Sequence, residues 1–216
     1  MNKELIIRSS PDAVDFALLK DGKLIELHKE EEKKNSFAVG DIFIAKIRKP
    51  VAGLNAAFVN VGYEKDAFLH YHDLGPNLAS QLKFIKLVSA GKIKDFSLKN
   101  FQFEKEIDKD GVITDVFSAN QSILVQVVKE PISTKGPRIS AELSLAGRFI
   151  VLVPFSDRVS ISQKIEIKGE KERLKKLVQS IKPKGFGVIV RTVAEGKNTA
   201  ELEKDLQNLL SRWTAM

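Results

Sequence analysis

One stretch, AAFVNVGYEKDAFLH at residues 56–70, restricts the fold more than any other. Its two arms alternate with a period of two, which is strand geometry. In the first arm Ala57, Val59 and Val61 share one face, and Phe58 and Asn60 share the other. In the second arm Ala67 and Leu69 share one face, and Phe68 and His70 the other. Gly62 supplies the turn, and pairing symmetric about Tyr63 sets Phe58 opposite Phe68. Val59, Val61 and Leu69 furnish a core face without the phenylalanines. Two readings stay open. On a wet face the two rings form a platform on which unpaired bases stack, worth roughly 1–3 kcal/mol per base. In a sheet buried on both sides they are core.

The surrounding chain extends the β pattern. Asp21-Gly22 between ALLK and KLIEL is a hairpin signal, and the charge run Lys29–Lys34 reads as a solvated linker. A boundary is therefore expected near residue 35. DIFIAKIRKP and QSILVQVVKE are further strands. Between them Leu78, Leu82, Ile85 and Val88 predict a helical insertion, followed by a polar, poorly periodic excursion that ends near Gly111. Beyond residue 140 the periodicity changes. AELSLAGRFIVLVP reads as a strand pair or one bent strand. EKERLKKLVQSI carries Leu174, Leu177, Val178 and Ile181 at helical spacing. GFGVIV is a buried strand ending in Arg191 and Thr192. Asn198 with Glu201 forms a capping box that opens a helix burying Leu202, Leu206, Leu209, Leu210 and Trp213. Strand, helix, strand, helix makes a small α/β unit.

Charge narrows the partners. Among 216 residues, 35 Lys and Arg against 28 Asp and Glu give a net charge of +7, which favours anionic ligands such as nucleic acid. The loop KEPISTKGPRIS adds Lys129, Lys135 and Arg138, with Lys135 beside Gly136, where the backbone can turn sharply. Lys46, Arg48 and Lys49 extend the basic surface, and a plain basic surface loop is the alternative. The chain has no cysteine, hence no disulfide or thiolate metal site. It has no apolar run of membrane-spanning length. No long apolar segment precedes a small-residue cleavage site near residue 1, so a secretory leader is not expected, and with the lack of cysteine a cytoplasmic location is expected. GxxxxGK[ST], HExxH and GxSxG are absent. His70 and His72 lie two apart with no carboxylate evidently paired to them, and no carboxylate pair suits two-metal chemistry. From its residues the chain is a binding protein, with no catalytic residue and no metal ligand assigned.

GDIFIAKI, GLNAAFVNVGYEKDAFLH, VQVVKEPISTKGPRISAELSLAGRFIVLVP and GFGVIVRTVAEGKN together resemble the N-terminal half of the ribonuclease E/G family, bacterial endoribonucleases that cut single-stranded RNA. The resemblance spans most of the chain except roughly residues 71–110. It implies an α+β multidomain chain. Residues 1–35 resemble the first segment of a ribonuclease H-like subdomain, whose remainder lies further downstream in the family. Residues 36–140 resemble an S1-type OB-fold β-barrel, and residues 141–216 a small α/β 5′-sensor domain. By the same resemblance Phe58, Phe68 and Lys135 contact RNA. Arg191 and Thr192 grip a 5′ phosphate, through a planar guanidinium fork and a hydroxyl. Gly147 and Val151 match positions of that pocket, and Lys164 keeps one charge where the family has Ser-Arg-Arg-Ile and this chain has Ser162-Gln163-Lys164-Ile165. Ala45 stands where the barrel motif often has glycine. In the family a DNase I-like catalytic domain binds Mg through aspartates, and a cysteine pair binds zinc between subunits. Both follow the sensor, so this chain is expected to bind RNA without cutting it, to need no cofactor itself, and to come from a homo-oligomeric parent. A stand-alone S1-type RNA-binding adaptor without nuclease activity is the alternative, and a protein–protein module without RNA affinity is a third reading.

Overall fold

Asp21 and Gly22 both take positive φ, +49° and +77°, as a two-residue hairpin turn requires. They join β2 (Ala13–Lys20) to β3 (Lys23–Glu31), and β1 (Lys3–Ser9) pairs with the far side of β2. The computed structural model describes residues 2–31, 37–132 and 135–216. These fall into two units, Met1–Ser36 and Phe37–Met216. The first is the three-stranded antiparallel sheet β1-β2-β3. Of the run expected to be a linker, Lys29, Glu30 and Glu31 instead belong to β3, because the β2 register continues opposite them at Asp15, Val14 and Ala13. The rest of the run, with Asn35, lies outside the described residues. The sheet has apolar side chains on both faces. Leu5, Ile6, Ile7, Leu24, Ile25 and Leu27 are all more than half exposed, since three strands alone have no second layer to bury them.

The second unit has a mixed α+β fold with a closed five-strand barrel. β4 (Ile42–Val51), β5 (Ala56–Asn60), β6 (Ala67–His70), β7 (Ser122–Lys129) and β8 (Arg138–Ser140) close in the order β4-β5-β6-β8-β7. All pairings are antiparallel except β6 with β8, an arrangement of OB-like type. Ile47, Ala57, Val59, Ala67 and Leu69 fill the interior with essentially no exposure. Ala45 lies in the same core.

The insertion between β6 and β7 holds α1 (Leu78–Ser89), the short α2 (Ile113–Val116) and irregular chain between them. The buried face of α1 runs through Leu78, Gln81, Phe84 and Ile85, whereas Leu82 and Val88 are only partly buried. The difference from the expected stripe has a cause: α1 lies against two cores. Leu78 joins the barrel core and Phe84 the α/β core. The excursion after α1 is irregular, yet Leu98 is buried and Phe96, Phe101 and Phe103 pack on the α/β core. The Phe84 ring lies 5.8 Å from those of Phe96 and Phe101, 5.3 Å from Phe155 and 6.1 Å from Trp213. The Trp213 indole N–H donates to the Phe96 carbonyl at 2.7 Å. These contacts tie the insertion to the α/β layer.

That layer is a four-stranded sheet in the order β11-β12-β10-β9, built from β9 (Leu145–Ala146), β10 (Ile150–Pro154), β11 (Val159–Ile161) and β12 (Phe186–Val190). Residues 141–154 thus form a strand pair. Ile150, Leu152, Val188 and Val190 share a core with Leu174 and Val178 of α3 (Glu170–Ile181) and Leu202, Leu206, Leu209 and Trp213 of α4 (Thr199–Thr214). The expected capping box is present: Asn198 Oδ1 accepts the Glu201 N–H at 3.0 Å, and Glu201 Oε2 accepts the Asn198 N–H at 3.2 Å. No helix of the described residues is long and apolar enough to cross a membrane.

Candidate nucleic-acid interface

The barrel face is built by strand pleat. Ala57 and Val59 point inward, so Phe58 between them must point outward. Phe58 pairs directly with Phe68, and the rings meet edge to face at 6.1 Å. Phe58 is 37% exposed and Phe68 half-buried, while their strand neighbours Ala57, Val59, Ala67 and Leu69 are sealed in the core. The phenylalanines therefore lie on the outer face. Cross-strand register extends the row on both sides: Lys49 lies opposite Phe58, Arg138 opposite Phe68, and Lys129 opposite Arg138. One lateral row across all five strands thus reads Lys49, Phe58, Phe68, Arg138, Lys129. His70 follows Phe68 at 6.5 Å between ring centroids, and His72 follows His70 at 5.0 Å.

The flanking charges differ in what they are free to do. Arg138 is held by Asp73 through Nε and Nη2 at 2.9–3.2 Å. Arg48 occupies a bulge in β4 and pairs with Asp66 at 3.2 Å. Lys135 is exposed. Its backbone N–H donates to the Ile132 carbonyl, and the chain just after it runs along β6, where the Phe68 N–H donates to the Pro137 carbonyl at 3.2 Å. Gly136 plays a different part from the sharp turn expected of it. It has no positive φ, but a Cβ there would overlap the Asp66 carbonyl. Glycine serves close approach, bringing the Lys135 loop against the β5–β6 turn.

A second constellation forms at the open end of β12. The Arg191 guanidinium donates from Nη1 to the Gly147 carbonyl at 2.6 Å, and its backbone N–H donates to the Phe149 carbonyl at 2.8 Å. Thr192 Oγ1 and Ser162 Oγ are 2.8 Å apart, and the Lys164 N–H approaches the same Ser162 hydroxyl at 3.4 Å. Val151 pairs with Ile189 and Ala146 on the sheet face away from the core. Gly147, Val151, Lys164, Arg191 and Thr192, spread over 46 positions of sequence, thus converge on one corner.

Sequence reasoning missed what holds this corner. Asp205 of α4 accepts three backbone N–H groups, from Arg148 at 3.1 Å, Phe149 at 2.8 Å and Ile150 at 3.1 Å. A Cβ on Gly147 would strike that carboxylate. Nothing in sequence marks Asp205, which sits on a helix where an acidic residue reads as solvated. The loop after Thr192 is pinned from α3. The Glu170 carboxylate accepts Arg173 Nε and Nη2 at 2.7 Å and the Gly196 N–H at 2.8 Å. The hydrogen bonds from Arg173, with that from Gly196, hold the Glu170 carboxyl down at about 2. Among the described residues no group of three or more His, Asp or Glu side chains is placed to hold a metal ion, and no metal-dependent step is assigned to them.

Residues 144–216 match the sequence model of the ribonuclease E/G family. The chain is 34% identical over 214 residues to ribonuclease G of Escherichia coli K12, covering 99% of this chain and 40% of that protein. It is 33% identical over 210 residues to ribonuclease G of Haemophilus influenzae, covering 97% and 39%. It is 36% identical over 179 residues to ribonuclease E of Nostoc, covering 82% and 22%. The chain belongs to the ribonuclease E/G family. It spans about 40% of the length of the ribonuclease G relatives that it matches. The residues of the ribonuclease E/G family match include the whole Gly147–Arg191 corner with its Asp205 anchor. The barrel row lies before that match but within the 214 residues aligned with ribonuclease G.

Proposed function

We propose that this chain grips single-stranded RNA on its barrel and senses a 5′ monophosphate at its α/β corner, as the RNA-binding portion of a cytoplasmic endoribonuclease of RNA processing or decay. In this reading residues 36–140 are the S1-type domain and 141–216 the 5′ sensor. The observation that carries it is the Phe58–Phe68 pair, directly opposed on the outer barrel face and flanked by Lys49, Arg138 and Lys129. Aromatic faces accept any unpaired base, and the flanking cations track the backbone. Lys135 adds a cation from the loop beside β6. At the other site Arg191 spends one N–H on Gly147, which fixes the guanidinium plane. Its other donors, with the Thr192 hydroxyl and Lys164, suit the oxygens of a terminal phosphate. Val151 supplies an apolar contact beside them. Phosphodiester hydrolysis by Mg-activated water belongs, in this proposal, to parts of the parent enzyme other than the described residues, which bind and position the strand.

The test is fluorescence anisotropy with a single-stranded oligouridylate and Phe58→Ala, Phe68→Ala and the double variant. Each single substitution is expected to weaken binding by about 1–3 kcal/mol with the barrel still folded. A large fall in thermal stability with unchanged affinity would return the phenylalanines to a purely structural role.

A further inference from the structure

The insertion, the part of the chain that the sequence motifs leave unassigned, holds a cleft of about 380 Å³ between the second half of α1 and the loop 92–102. Its volume lies in the range of ligand pockets. Phe84, Leu87, Ile93 and Phe101 give it apolar walls, and Lys83, Lys92, Lys94 and Lys99 line it with ammonium groups. Residues 83–102 contain five lysines, counting Lys86, and one acid, Asp95, which is four of the seven net charges of the chain. The lysines divide by role. Lys83 bonds to the Gln102 carbonyl at 2.9 Å and to Glu104 at 2.7 Å, so it closes the cleft. Lys92, Lys94 and Lys99 are exposed and form no side-chain hydrogen bond or salt bridge among the described residues, though Lys99 attracts the Asp95 carboxylate. Asp95, which also lines the cleft, is engaged by the Ser97 hydroxyl at 2.7 Å and the Ser97 N–H at 2.9 Å.

We infer that this cleft is a second RNA contact, taking one nucleotide of the same single strand with its phosphates on Lys92, Lys94 and Lys99. An apolar wall under a cationic rim matches the chemistry of a nucleotide, a flat base joined to anionic phosphate. The site is built entirely from the insertion and shares no residue with the barrel row. It lengthens the footprint on RNA and draws its energy mainly from released counterions. The choice of RNA as ligand rests on the function proposed above.

The experiment compares the whole chain with a Lys92→Gln, Lys94→Gln, Lys99→Gln variant, using short and long oligouridylates over a range of salt. The expected result is unchanged affinity for the short RNA and at least tenfold weaker affinity for the long one. The slope of log affinity against log salt should fall by about 1.4, as loss of the contacts to the two phosphates flanking one nucleotide of a single strand requires. The melting temperature should stay close to that of the parent, because the three exposed ammonium groups form no hydrogen bond or salt bridge among the described residues and Lys99 has only a longer-range attraction to Asp95. Unchanged affinity and slope on the long RNA would overturn the inference. So would an equal loss on short and long RNA, which would mark a diffuse field in place of a contact. Displacement of the long RNA by poly-glutamate as effectively as by unlabelled RNA would reassign the cleft to acidic proteins. Phe58→Ala separates the two proposals: if it leaves short-RNA binding intact while the lysine variant loses long-RNA binding, the barrel reading fails and the cleft stands.

Discussion

Replacing Asp205 by Asn is expected to loosen the corner that carries Arg191, by an amount that follows from the geometry. One carboxylate receives three backbone donors: Oδ2 takes Phe149 and Ile150, and Oδ1 takes Arg148. Asparagine keeps one acceptor oxygen for the Phe149–Ile150 pair and turns its NH₂ toward the Arg148 N–H. Two charge-assisted bonds become neutral, each losing about 1 kcal/mol, and the third is lost. Arg148 is exposed, so water recovers part of that third bond. The sum is about 3 kcal/mol, and for a unit of this size that lowers the melting temperature by roughly 6–12 °C. Melting followed by circular dichroism reads the effect directly. Because Gly147 in the same turn holds the Arg191 guanidinium, any preference for 5′-monophosphate over 5′-hydroxyl RNA should shrink in parallel. Gly147→Ala offers an independent check. Alone it drives a Cβ into the carboxylate. In an Asp205→Ala background the obstruction is gone, so the two costs should fall well short of additive. If Asp205→Asn melted within about 2 °C of the parent, the three bonds would not hold the turn and the reasoning would be refuted.

Other outcomes follow from the same structure. Arg191→Ala should abolish discrimination of the 5′ phosphate while leaving affinity for 5′-hydroxyl RNA unchanged, and a retained preference would place the sensor elsewhere. The Glu170 carboxyl is held at about 2, below its ordinary value of 4.5. Its contribution to stability is therefore complete above about pH 4.5 and is lost as the pH falls toward 2. Glu170→Gln should flatten that acid limb in a series of urea melts, and an unchanged limb would show that the Arg173 bonds do not matter to folding. Asn198→Ala removes the cap of α4 and should cost about 0.5–2 kcal/mol by the same melts. Gly136→Ala should displace the Lys135 loop from the β5–β6 turn and weaken RNA binding, measured by anisotropy. Unchanged affinity would show that the loop's position there is irrelevant to the ligand.

The corners of the fold that were legible in sequence share one property. Their cause lies within a few residues. Period-two alternation decided that Phe58 shares a face with Asn60 and Phe68 with His70, and the spacing about Tyr63 decided that the rings oppose each other. Asp21-Gly22 announced its turn because few residues accept positive φ at two successive positions. Asn198 and Glu201 announced their cap because both partners sit in one turn. The linker reading of Lys29–Glu31 failed because charge describes solvation and not backbone pairing, and an exposed strand satisfies both.

The remaining features needed the tertiary structure, since each depends on which distant elements become neighbours. Alternation could say that the phenylalanines shared a face, but only closure of the barrel made it the outer one. Only closure set Lys49 on one side and Arg138 on the other. The excursion after α1 has no periodicity, so nothing local showed that the Phe96 and Phe101 rings meet Phe84, or that Trp213, more than a hundred residues along the chain, meets it too. Asp205 looks like any solvated acid on a helix until the turn at Gly147 is brought under it. The sequence by itself determined the local conformations and the faces of each strand, because these follow from backbone geometry at fixed spacing. Which face meets water, and which cations and carboxylates stand beside Phe58, Phe68 and Arg191, was decided only when the chain was folded back on itself.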